Sequence, residues 1–64
     1  MKTQKVWLVT YDRNGRRYQD KIFEGNGAQD EDRACEVLRA FALDLGWKVS
    51  NVRAKLYGYA KKGV

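Results

Sequence analysis

The sequence predicts a small α+β domain of β-β-α-β order, a three-stranded sheet with one helix packed on one face. Three observations lead there. Lys5 to Tyr11 (KVWLVTY) and Arg16 to Phe23 (RRYQDKIF) are rich in β-branched and aromatic residues and flank Asn14-Gly15, the pattern of a hairpin. Ala34, Val37, Leu38, Phe41, Ala42 and Leu45 recur at three- and four-residue spacing, which marks one apolar face of a helix. Val52, Ala54 and Leu56 alternate with Arg53, Lys55 and Tyr57, the period of a half-buried strand.

Each element carries its own boundary signals. Gly25-Asn26-Gly27 ends the second strand, since glycine adopts positive φ readily and loses much entropy in regular structure. The helix starts near Asp30 or Asn26, whose side chains can accept from a free N–H of the first turn. Asp30, Glu31 and Asp32 then lie where the helix dipole favours negative charge. Gly46 is placed to end the helix in a left-handed conformation, with Trp47 folding back onto the last turn. Val49 to Tyr59 forms the third strand, and Lys61 to Val64 a short basic tail expected to fray. The third strand is expected beside the first, reached by a right-handed crossover. The helix then covers one sheet face and leaves the other open.

Sixty-four residues without a proline, repeat or biased segment read as one domain, residues 1–64, near the lower size limit for independent folding. Cys35 is the only cysteine and there is no histidine, so neither an internal disulfide nor a Cys/His zinc site can support the fold. Self-association is the support left open. A single cysteine suits a reducing, cytoplasmic setting, and no segment approaches the roughly 18 apolar residues of a membrane span. The start has too short an apolar run for a signal peptide.

Charge is divided along the chain. Residues 24–44 hold six acids and two bases, net −4, and the remainder holds eleven bases and two acids, net +9. One surface is therefore expected to be strongly basic and another mildly acidic. Ordinary solubilising charge, with acids at a helix start, is the plainer explanation of the same split.

The hairpin turn decides which side chains reach the open face. If Asn14-Gly15 is a two-residue loop, Tyr11 pairs with Tyr18, and Trp7, Val9, Tyr11, Tyr18 and Ile22 share one face. If Asp12 opens a type I turn closed by a bulge at Gly15, the register moves by one residue. Val6, Leu8 and Thr10 then face the helix, and Trp7, Val9 and Tyr11 face away with Arg17, Lys21, Phe23, Arg53, Lys55, Tyr57 and Tyr59. Aspartate at the first turn position and glycine at the fourth favour the second register.

In that register the open face mixes rings with cations. Arg13, Arg16, Arg17, Lys21, Arg53 and Lys55 are the candidates for phosphate contacts, and Trp7, Tyr11, Tyr57 and Tyr59 for stacking on bases. Each has a plainer alternative. The rings suit a core or a dimer interface, and cations at a hairpin tip guard a sheet edge against pairing.

Three functions stay open: a non-enzymatic nucleic-acid-binding domain, a protein-binding adaptor or inhibitor of the kind small phage genomes encode, and a homodimer with its sheets face to face. The first leads. Nothing calls for a cofactor: there is one serine, no phosphate-binding loop, and Cys35 reads as a small buried hydrophobe. The acids at 30–32 with Glu36 suit a helix cap better than a divalent ion.

A strand ending in Tyr11-Asp12, then Asn14-Gly15, a basic strand ending in Phe23 and a helix is similar to the small arm-binding domains of tyrosine recombinases. The likeness spans residues 7 to about 41. Those domains place all three strands before the helix, whereas here the third follows it, and no functional residue is carried across.

Overall fold

The computed structural model describes residues 2–61. Strand β1 (Thr3–Arg13) is joined by a tight turn to β2 (Arg16–Phe23). A single 3-10 turn (Glu24–Asn26), helix α1 (Glu31–Leu45) and strand β3 (Ser50–Lys61) follow. The sheet order is β2-β1-β3 with both pairings antiparallel, so the first strand is central and the helix lies across one face. Lys61 closes β3 rather than opening a tail, and the rest of the expected tail, residues 62–64, lies outside the described residues.

The hairpin takes the two-residue register, not the bulged one. Arg13 pairs with Arg16 and Tyr11 with Tyr18, and Asn14 and Gly15 have φ of 53° and 75°. Positive φ at both central positions is the conformation whose twist matches that of the flanking strands, and asparagine tolerates it. Every β1 assignment therefore inverts. Trp7, Val9 and Tyr11 point at the helix and join Ile22, Ala28, Ala34 and Leu38 in the core, with Val52 and Ala54 packed against them. Leu8 and Thr10 lie on the opposite face.

Specific bonds fix the core to its margins. The Trp7 indole N–H donates to the Ala28 carbonyl at 2.7 Å, tying β1 to the segment before the helix. The Tyr11 hydroxyl donates to Asp20 Oδ2 at 2.6 Å. Glu24 and Gln4 side chains accept from the backbone N–H groups of Lys5 and Gly25, which holds the 3-10 turn on the sheet.

The helix has the predicted ends. Asp30 accepts from the Arg33 N–H at 2.8 Å, and Gly46 sits at φ 73° while the Trp47 N–H reaches back to the Ala42 carbonyl. Only part of its apolar stripe is used. Ala34, Leu38 and Ala42 are buried, but Phe41 and Leu45 stay exposed. The helix leans toward β3, where Cys35 Sγ lies 3.9 Å from the Val52 carbonyl. Among the described residues no helix is long and apolar enough to cross a membrane.

Candidate nucleic-acid interface

The uncovered face is built from alternate residues of three strands. Strand pairing sets them in cross-strand rows: Lys21, Leu8 and Lys55; Gln19, Thr10 and Arg53; Arg17, Asp12 and Ser50. β3 departs from regular pairing twice. Between Val6 and Trp7 the register shifts, because Val6 opposes Gly58 while Trp7 opposes Leu56, leaving Tyr57 as the extra residue. Alternation from Lys55 keeps Tyr57 on the open face, where Lys21 Nζ lies 4.5 Å from its ring centroid, and the extra residue moves Tyr59 to the other side. The second irregularity lies between Thr10 and Asp12, and there Asn51 has φ 51°. Its amide donates to Asp12 Oδ2 at 2.7 Å.

Asp12 is the hub of the hairpin end of this face. Arg17 donates to Asp12 Oδ1 at 3.1 Å and to Thr10 Oγ1 at 3.0 Å. The Asn51 amide, and then the Arg17 guanidinium, hold the Asp12 carboxyl below the usual carboxylate range. The acid is thus neutralised locally. Arg53 and Lys55 have no acidic partner within ion-pair distance among the described residues. With Leu8, Thr10 and Ala54 they line a shallow depression of ≈ 280 Å³.

Five of the ten candidate residues meet on this face: Arg17, Lys21, Arg53, Lys55 and Tyr57. The other five do not. Trp7 and Tyr11, at 6% and 3% exposure, are core residues and cannot stack on a base. The two-residue turn is the reason, since it puts their side of β1 under the helix. Arg13 lies on that same side, its guanidinium 4.0 Å from the Trp47 ring centroid and 4.7 Å from that of Tyr18. It braces the hairpin against the end of the helix instead of probing a phosphate. Arg16 pairs with Arg13 and is exposed on the helix side of the turn. Tyr59 is 65% exposed but opposes Lys5, whose ammonium reaches the Gln29 carbonyl, so it too belongs to the helix side.

Sequence reasoning missed Asp12, Thr10 and Asn51 as the clasp that orients Arg17. An asparagine interrupting a strand pattern was the available signal, because asparagine enters the left-handed region more easily than most residues. The candidate acidic cluster is otherwise occupied: Asp30 caps the helix and Glu36 lies 3.6 Å from Arg33. Burial pushes the Cys35 thiol up, away from the thiolate form a nucleophile needs.

No family model, curated protein or solved structure matches the chain.

Proposed function

We propose that this chain is a small, non-enzymatic nucleic-acid-binding domain of the cytoplasm that engages its ligand with the open sheet face. One observation carries the reading. Four cations, Arg17, Lys21, Arg53 and Lys55, share an uncovered sheet face with an exposed ring, Tyr57, and with a single acid that is already hydrogen-bonded. Cations in rows across a sheet suit a phosphate backbone, and the ring face turned away from Lys21 suits a base. A single strand fits better than a duplex, because stacking needs a base that is not already paired.

The same charges weigh against a homodimer with sheets packed face to face. Two such faces would set eight cations together, with only two acids between them. A protein-binding adaptor is the second reading, and it draws on a different surface, an apolar groove on the helix side.

Retention of an unstructured oligonucleotide across a salt series tests the proposal. If all four cations neutralise phosphates, log affinity should fall by up to about 2.8 per log unit of salt, at roughly 0.7 per contact for a single strand. Arg53→Ala with Lys55→Ala should lower that slope by about 1.4. Absence of retention at low salt, or a slope indifferent to these two residues, refutes it.

A further inference from the structure

We infer that the outer edge of β2, with the groove beside it, is a docking site for an extended acidic peptide that adds a fourth strand to the sheet. Three observations converge there. Strand β2 is an edge strand of eight residues with, among the described residues, a partner on one side only. In a two-residue hairpin the residues flanking the turn form a hydrogen-bonded pair, so Arg16, Tyr18, Asp20 and Ile22 direct their backbone groups to β1. By alternation, Arg17, Gln19, Lys21 and Phe23 present their N–H and C=O groups outward, as a strand-adding ligand requires.

The second observation is the lean of the helix toward β3, which leaves a groove over β2 lined by Asp20, Lys21, Ile22, Leu38, Phe41 and Trp47. Its volume of ≈ 260 Å³ is at the small end for a small-molecule site and suits apolar side chains inserted from a strand. Phe41 is 57% exposed at its rim, an aromatic ring of the helix stripe that nothing among the described residues covers. An added strand would send the side chain opposite Ile22 into this groove and the next one to the open face.

The third observation selects the occupant. Strand β2 carries Arg16, Arg17 and Lys21 against one acid, Asp20, which already accepts the Tyr11 hydroxyl. A second copy of β2 is a poor partner. In the two longest antiparallel registers that match outward backbone groups, either Arg17 opposes Lys21 twice or Asp20 opposes Asp20. Like charges directly opposite are destabilising. A foreign strand with acids opposite Arg17 and Lys21, four residues apart, and apolar residues on its other side answers both charge and groove. The docking site shares Arg17 and Lys21 with the proposed nucleic-acid face, but its groove lies across the sheet from Arg53 and Lys55, so loss of oligonucleotide binding on replacing those two would leave this inference standing.

The test uses the full chain and two synthetic peptides of the length of β2, one alternating glutamate with valine and one alternating lysine with valine. The glutamate peptide should slow amide exchange at Arg17, Gln19, Lys21 and Phe23, perturb Trp47 fluorescence, and bind at least about tenfold tighter than the lysine peptide. Gln19→Pro removes one outward N–H at an edge position that tolerates proline, and should abolish binding. Phe41→Asp should weaken the peptide by about tenfold or more and leave oligonucleotide retention unchanged. Equal binding of both peptides, protection on β3 instead, or no binding at about millimolar concentration overturns the inference. So does a dimer in sedimentation that Gln19→Pro dissolves, because the edge would then belong to a second copy.

Discussion

Raising the pH through the ionisation of one buried phenol should weaken this domain by an amount its structure sets. The Tyr11 ring is buried, and burial first, then the hydrogen bond to Asp20 and the charge of that carboxylate, push its hydroxyl from 10.0 up to about 12. Between those values the folded chain holds a proton that the unfolded chain has released. Stability is therefore fully present below pH 10 and is lost as pH rises toward and through 12. At pH 11 the loss amounts to about 1.4 kcal/mol, since one unit of difference is worth about 1.36 kcal/mol. That figure is an upper bound, because the hydroxyl emerges beside exposed Asp20 and solvent screens part of the effect. It is still a large share of the roughly 3–5 kcal/mol such a small core supplies. Urea unfolding at pH 8 and pH 11 on the wild type and on Tyr11→Phe isolates it, because lysine titration is common to both chains. Wild type should lose about 0.7–1.4 kcal/mol more than Tyr11→Phe over that interval. A difference within about 0.3 kcal/mol would refute the claim that the buried phenol must stay protonated.

Trp7→Ala should cost about 3–5 kcal/mol and leave the chain unfolded by circular dichroism, since it empties the core and strands the Ala28 carbonyl. Tyr57→Ala, at a site 57% exposed, should melt within a few degrees of wild type yet weaken oligonucleotide binding by about 1–3 kcal/mol. Asp30→Ala removes the cap on the Arg33 N–H and should cost about 1 kcal/mol, seen as a fall of roughly 4–8 °C in Tm.

The elements themselves were legible because each has a local cause. Asn14-Gly15 closes a hairpin, Asp30 and Gly46 bound a helix, and β-branched runs make strands. The facing of β1 was not legible, for a physical reason. A central strand packed by a helix on one side and flanked by long side chains on the other is apolar on both faces: Val6, Leu8 and Thr10 against Trp7, Val9 and Tyr11. Alternation then casts no vote, and turn chemistry decides alone. Asp12 fits the first position of a type I turn, but its carboxylate serves Arg17 and Asn51 instead. The cations of the open face were placed correctly because they sit on β2 and β3, where one side is polar. The two β3 irregularities arise in pairing with a strand some forty to fifty residues away, which local pattern does not encode. Tyr59 leaves the open face through the first of these.

The pairing of β1 with β3 also orders events as the chain is made. Thr3 lies opposite Lys61, so β1, made before β2 and β3, finds its second neighbour only when β3 follows. The hairpin with β2 can close early, across a two-residue turn, but Trp7, Val9 and Tyr11 then wait without the helix or Val52 and Ala54 over them. Closing so long a loop before any long-range contact rewards it places the slow step of folding at the arrival of β3. Until then the nascent chain displays an apolar hairpin with two open edges, the state in which strands find wrong partners. Arg13, Arg16 and Arg17 around the turn and Lys5 on β1 place charge on that hairpin, and charge opposes such pairing before any ligand is met.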